Sequence, residues 1–225
     1  MALTPAQLVI YTLTPMAVYA LGVGRFVSNW DRRRPQDGIW AGYLLLCLAM
    51  TAALTWGGGS AKQGYLPYQI FKVSETLFLG LYLESGEVLP RVFGRRGMLS
   101  LLAILPFLAL ALSDPGRLDS LRNPLFHTLT FTQLLICTLG IGFLSRQDHP
   151  MARNAAFWVA MPMLFNAGIT LLVYLWTPEF PRGSMEFQAI HMFRAVAVAV
   201  LYAMMARAFT CPYPPSRSSA PPSAP

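Results

Sequence analysis

The first and last thirds of the chain look like two copies of one three-helix unit. Residues 21–24, with the sequence Leu-Gly-Val-Gly, recur as Leu-Gly-Ile-Gly at 139–142, which is 118 residues further along. Trp40 recurs as Trp158 at the same offset. Internal repeats constrain the architecture before any single residue is interpreted, because each copy should form an equivalent unit.

The repeat predicts a three-plus-one-plus-three organisation of helices. Both copies run in the same order and one unmatched helix separates them, so they should share one membrane orientation. Such parallel repeats are related by an axis along the membrane normal. The predicted divisions are a first three-helix unit (1–84), a linker with the fourth helix (85–124), a second three-helix unit (125–211) and a disordered Pro/Ser/Ala-rich tail (212–225).

Composition and hydropathy place this chain in a membrane. It has 225 residues, of which 55% are hydrophobic and 12% are charged, about half the charged fraction of a soluble domain. Seven apolar stretches approach the roughly 20 residues that span a bilayer. They cover 7–27, 39–56, 66–84, 98–112, 125–144, 155–176 and 187–207. We therefore predict an all-α membrane protein with seven transmembrane helices.

The arginines predict the orientation. Arg32, Arg33 and Arg34 follow the first predicted span, and arginines also cluster after the third and fifth spans. Because basic loops stay in the cytoplasm, the N-terminus should lie outside and the C-terminus inside. Basic residues spread over several short loops explain the net charge of +7 without a nucleic-acid partner. We predict a multi-pass protein of a bacterial inner membrane.

Ionisable side chains at membrane depth are costly and are functional candidates by default. Lys72 and Glu75 are three residues apart on the third span, so they share one helical face. His191 and Arg194 repeat that spacing on the seventh span. The twofold relation predicts a basic partner for Glu75, with Arg194 first and Lys72 second. A structural ion pair and a buried acid with a chemical role both remain open.

Glu75 is the catalytic candidate, since it is the acid at mid-depth. The residues predicted to bind substrate are Lys72, His191, Arg194, His127, Gln133 and Asn166. We predict neither a metal nor a cofactor, although histidines on two different spans leave a haem ligand pair open. The three cysteines are isolated, which argues against a disulfide framework or a zinc site.

Residues 73–78, Val-Ser-Glu-Thr-Leu-Phe, resemble the acidic Glu-Glu-x-x-Phe motif that opens the third helix of small membrane lycopene cyclases. Ser74 stands in place of the first Glu. Segments 133–135, 144–146 and 176–180 are similar to helices five and six of fungal-type membrane terpene cyclases, over much of the second unit. The paired acids of that family are not retained, because Thr51 and Arg194 stand in their places.

The resemblance implies a heptahelical isoprenoid cyclase or isomerase acting on a prenylated lipid. Its chemistry needs a protonated acid in an apolar pocket, and aromatic faces that stabilise carbocations. A heptahelical chain with two three-helix repeats is also similar to small-solute transporters of the sugar-efflux and vitamin-uptake type. We rank the cyclase first because two motifs support it.

Transport of a small polar or anionic solute is the alternative. The central charges would then form the binding site, and the repeats would rock about it. An acid beside Lys72 and facing Arg194 should be ionised, which fits transport better than acid catalysis. A non-catalytic subunit of a membrane assembly is the second alternative, and the oligomeric state is left open.

Overall fold

The computed structural model describes residues 9–56, 66–86, 88–89, 101, 104–105, 108–109, 124–147, 150–177, 180–181 and 184–211. The regular elements among these residues are all helical, which confirms the all-α prediction. The α-helices are α1 (Thr14–Ser28), α2 (Pro35–Trp56), α3 (Leu66–Ser85), α4 (Pro124–Leu144), α5 (Ala155–Trp176) and α6 (Met185–Met205).

Six of the seven predicted apolar segments coincide with these helices. A π-helical turn, Val9–Leu13, precedes α1, and a 3-10 helix, Ala206–Thr210, follows α6. The predicted segment 98–112 lies mostly outside the described residues, and its five described positions are helical. The predicted tail, 212–225, lies wholly outside them.

Polar side chains fix where several helices begin. The side-chain oxygen of Asn154 accepts a hydrogen bond from the backbone N–H of Ala156 (2.9 Å) before α5. The hydroxyl of Ser184 accepts one from the backbone N–H of Phe187 (3.1 Å) before α6. These caps satisfy backbone donors that a helix cannot pair internally.

The helices pack in a ring. Each helix contacts the next along the chain from α1 to α6, and α6 returns to contact α1. In addition, α3 contacts α5. The ring is compatible with a twofold relation between α1–α3 and α4–α6, and that relation stays a prediction.

The repeated Leu-Gly-x-Gly motif has the same burial pattern in both places. Gly22 and Gly140 are buried, and a Cβ at each would meet a leucine of another helix, Leu44 at 2.5 Å or Leu83 at 3.4 Å. Gly24 and Gly142 are exposed, and a Cβ at either position would meet no atom of the described residues within 4 Å. The first glycine of each copy therefore serves close helix packing, as small residues do between membrane helices.

Within the part of the chain that the structure describes, three helices are long and apolar enough to cross a bilayer. The stretches are His127–Leu144 within α4, Ala155–Trp176, and Met185–Thr210, which joins α6 to its 3-10 extension. This finding supports a membrane protein. Seven spans and the N-terminus-out orientation stay predictions.

A buried ion pair at the start of α2 is hydrogen-bonded to the 3-10 helix that follows α6. Arg34 and Asp37 are both buried and form an ion pair of 2.9 Å. The Arg34 guanidinium also donates to the backbone carbonyl of Ala208 in the C-terminal 3-10 helix. Asp37, in the first turn of α2, also accepts a bond from the backbone N–H of Arg34 (3.0 Å), as the acidic residue of a capping box does.

Candidate functional site

Glu75 lies halfway along α3 and is 2% exposed. An isolated buried carboxylate would be strongly destabilising, so its oxygens must find donors or a counter-charge. Lys72, one turn earlier on α3 and 3% exposed, supplies the charge: its Nζ lies 2.7 Å from Oε2 of Glu75. The ion pair that the structure shows for Glu75 is therefore local to one helix.

Four further donors reach the same carboxylate from the other helices. Oε1 accepts from the Tyr202 hydroxyl (2.7 Å), the Asn166 amide (3.0 Å) and the Tyr43 hydroxyl (3.2 Å), and Oε2 accepts from the Gln133 amide (3.0 Å). We call Glu75 and its donors Tyr43, Lys72, Gln133, Asn166 and Tyr202 the Glu75 cluster. It joins α2, α3, α4, α5 and α6 at one group.

The two tyrosines form a short relay. Their hydroxyl oxygens are 2.6 Å apart, and each hydroxyl has one proton to donate. Tyr202 makes the shorter bond to Glu75, so Tyr43 donating to Tyr202 and Tyr202 donating to Glu75 satisfies both short contacts. Both side chains are buried.

Lys72, Tyr202, Asn166 and Gln133 present hydrogens to Glu75, and Tyr43 supports Tyr202 in doing so, which favours the ionised carboxylate. A protonated carboxyl could donate its own O–H only after one of these groups turned an acceptor oxygen towards it. Hydrogen bonds and a nearby cation both stabilise the charged form. As it stands, Glu75 can accept a proton and hold donors together, but it is a poor acid.

Gln133 carries an acceptor that the cluster leaves unused. The residue is fully buried, and its Nε2 donates to Glu75 and to the hydroxyl of Thr76 (2.9 Å). Among the described residues, its Oε1 has no hydrogen-bond partner. Buried acceptors are usually paired, so this oxygen indicates a second hydrogen-bonding state or a bound group.

His191 and Arg194 lie in a second cluster next to the Glu75 cluster, together with aromatic residues of α5 and α6. Arg194 donates to the Thr170 hydroxyl (3.5 Å) and its Cζ lies 5.3 Å from the centre of the Tyr174 ring. The ring of His191 is centred 4.5 Å from that of Phe187. Arg194 is near enough for its charge to act on Lys72.

Of the predicted site residues, Lys72, Gln133 and Asn166 contact Glu75 directly. His191 and Arg194 lie in the neighbouring cluster. His127 is half-buried near the start of α4, six residues before Gln133 and thus about 9 Å from it along the helix axis. Among the described residues, no three His, Cys, Asp or Glu side chains are grouped as metal ligands.

The sequence interpretation missed Tyr43 and Tyr202. Tyrosine is common in apolar helices as a packing residue, and the chain has nine. The one signal in the sequence was depth: both lie well inside long apolar helices, where a buried hydroxyl needs a partner. Nothing in their spacing indicates that the partner is Glu75.

A surface cleft of about 480 Å³ lies elsewhere, where α1 connects to α2. Its lining includes Phe26, Trp30, Arg33 and Arg34. Arg33 stacks over the Trp30 ring at 3.8 Å.

No protein-family model, curated protein or solved structure matches this chain.

Proposed function

We propose that the protein is a small-solute transporter with the Glu75 cluster as its central charged site. The observation that carries the proposal is that one buried carboxylate is held jointly by helices from both of the predicted three-helix units. Tyr43 and Lys72 belong to the first unit, while Gln133, Asn166 and Tyr202 belong to the second. A site shared in this way changes whenever the units move relative to each other.

The bonds divide into two kinds that suit such a movement. The ion pair between Lys72 and Glu75 lies within α3, so it survives a displacement of the second unit. The bonds that cross between units come from neutral groups, and each contributes about 1.5–3 kcal/mol when made to a charged acceptor. Rocking can therefore exchange these bonds for bonds to a solute without leaving a buried charge unpaired.

The cyclase hypothesis places a heavier demand on Glu75. It rests on the motif resemblance of residues 73–78 and requires this carboxyl to donate a proton to an alkene or epoxide. Lys72 and the neutral donors stabilise the ionised form, and protonation of Glu75 without a bound anion would leave the buried Lys72 with no negative partner. We rank transport first for this reason, with the seven-span, N-terminus-out arrangement in a bacterial inner membrane.

An uptake assay that does not require the solute to be known in advance tests transport. The purified full chain is reconstituted in liposomes and offered an extract of uniformly ¹³C-labelled small molecules, and mass spectrometry identifies what accumulates inside. We expect at least one labelled solute to accumulate with the wild-type protein and not with Glu75→Gln, which removes the charge at nearly constant shape.

Glu186→Gln is the matched control, because Glu186 is an exposed acid in the first turn of α6. It should transport like the wild type. If liposomes that contain folded wild-type protein accumulate no labelled solute, the transport proposal is wrong. Conversion of added linear prenyl lipids to cyclic products by the same preparation would favour the cyclase.

A further inference from the structure

The Glu75 cluster holds one negative charge among groups that are suited to bind any small anion. Lys72, Tyr202, Asn166 and Gln133 all present hydrogens to the position of the carboxylate. Charged donors and converging neutral donors are the usual protein ligands of carboxylates and phosphates. In this structure the anion in that position is the side chain of Glu75.

We propose that a singly charged anionic solute binds Lys72 in place of Glu75 when Glu75 takes up a proton, so that one proton and one anion cross together. This inference rests on the proposed transport function and names its substrate class. The proton adds to Oε2 of Glu75 and ends the ion pair. Lys72 then pairs with the anion, and release of the anion and the proton on the other side restores the original pair.

Charge balance selects a singly charged anion. Before exchange the cluster contains the charges of Lys72 and Glu75, one positive and one negative. After exchange Glu75 is neutral and the solute supplies the negative charge. The buried site therefore carries the same net charge in both states, which avoids the large free energy of an uncompensated buried ion.

Gln133 provides for the protonated state. A neutral Glu75 has an O–H that needs an acceptor, and Oε1 of Gln133 is a buried acceptor with no partner among the described residues. Its Nε2 already lies 3.0 Å from Oε2 of Glu75. A half-turn of the amide would present its oxygen to the new O–H, at the cost of the bond that Nε2 now donates to Thr76.

The other titratable groups around Glu75 do not compete for this role. Tyrosine and cysteine are neutral near pH 7, and α5 contributes the neutral Asn166. Arg194 adds a second positive charge nearby, which favours an anion further. Among the described residues, the titratable groups that interact with Glu75 include Tyr19 on α1, Tyr43 and Cys47 on α2, Lys72 on α3, Cys137 on α4 and Tyr202 on α6, and Arg194 on α6 interacts with Lys72.

Anion binding at different pH values tests the exchange. The probe is sodium formate, a minimal carboxylate that stays ionised, added to the detergent-solubilised full chain with sodium chloride holding the ionic strength constant. Its Kd is measured from dose-dependent thermal stabilisation between about pH 5 and about pH 8. If one proton is taken up with each anion, the wild-type Kd falls about tenfold for each pH unit lowered, until Glu75 is protonated in the free protein.

Single variants distinguish the group that takes up the proton from the group that binds the anion. Glu75→Gln mimics the protonated state, so it should bind formate with a Kd independent of pH. Lys72→Gln should lose formate binding at every pH, and Glu186→Gln should keep the wild-type slope. A pH-independent wild-type Kd, or no formate binding to folded Glu75→Gln, overturns the inference.

The formate test and the uptake assay distinguish failure of the proton–anion exchange from failure of the transport function. If the labelled extract yields a transported solute that is neutral, or an anion whose binding does not depend on pH, transport stands and proton–anion exchange is wrong. If formate binds with the expected slope while no solute accumulates, the site is an anion site and the transport function is wrong.

Discussion

The hydroxyl groups of Tyr43 and Tyr202 lie 2.6 Å apart, although 159 residues separate them in the chain. The Tyr202 hydroxyl in turn donates a hydrogen bond to Oε1 of Glu75 (2.7 Å). The relay links α2 and α6 to the carboxylate on α3. Because Tyr202 makes the short bond to Glu75 and Tyr43 bonds mainly to Tyr202, the two tyrosines should contribute unequally to stability.

We expect Tyr202→Phe to lower the free energy of unfolding by about 1.5–3 kcal/mol, because it deletes a bond to a charged acceptor and the partner of Tyr43. Tyr43→Phe should have a smaller effect, about 0.5–1.5 kcal/mol, because Glu75 keeps its shorter bond to Tyr202. Unfolding in mixed detergent micelles measures both.

Tyr82→Phe is the control for these two variants. Tyr82 is fully buried, and its hydroxyl has no hydrogen-bond partner among the described residues. Its removal should be neutral or stabilising. Equal losses at all three tyrosines would show that the packing of the buried hydroxyl oxygens, and not the relay, carries the effect.

Lys72→Met should be among the most destabilising single changes, at about 3–5 kcal/mol, because it leaves Glu75 as an uncompensated buried charge. Adding Glu75→Gln to this variant should recover part of the loss, since the double variant has no buried charge at this pair. A double-mutant cycle on the unfolding free energies measures the coupling. Strictly additive effects would contradict a direct ion pair.

The glycines of the repeated motif should respond in opposite ways to alanine. Gly24→Ala should stabilise α1 by about 0.5–1 kcal/mol, because its methyl enters open space and alanine favours helix. Gly22→Ala should destabilise by about 1–3 kcal/mol, since its Cβ would lie 2.5 Å from a buried Leu44 methyl. Thermal unfolding of the pair provides the comparison. Stabilisation by both changes would contradict close packing at Gly22.

Arg34→Lys should destabilise the protein by more than a surface change, because one lysine ammonium cannot replace both the Nε bond to Asp37 and the Nη2 contacts to Asp37 and the Ala208 carbonyl. Arg33→Lys is the matched control: Arg33 is exposed and stacks on Trp30, an interaction of about 0.5–1 kcal/mol. Limited proteolysis near residues 206–211 should increase in Arg34→Lys alone. Equal cleavage in both variants would contradict a role in holding the C-terminal segment.

The helices were predictable because their signal is local. Each apolar stretch carries its own length and composition, and every described α-helix coincides with a predicted segment, most of them to within a few residues at each end. The pairing of Glu75 with a basic side chain was also predictable, because an acid at that depth requires partners. Which partner it takes was not, since a lysine on the same helix and an arginine on another satisfy the same charge.

The neutral donors differ in how far sequence could identify them. Asn166 and Gln133 are polar residues within apolar helices, so they were recognised as candidates, but their shared target depends on how five helices meet. Tyr43 and Tyr202 are indistinguishable in sequence from tyrosines that only pack. Their roles follow from tertiary geometry, about which periodicity carries no information.

The position of Lys72 one turn before Glu75 has a consequence for the order of biosynthesis. Ribosomes deliver α3 before α4, α5 and α6, so three of the five donors do not yet exist when Glu75 emerges. Lys72 emerges just ahead of it, and a helical turn is enough to bring the pair together. The nascent helix thus carries its own counter-ion, while Tyr202, near the end of the chain, completes the arrangement only once synthesis is almost finished.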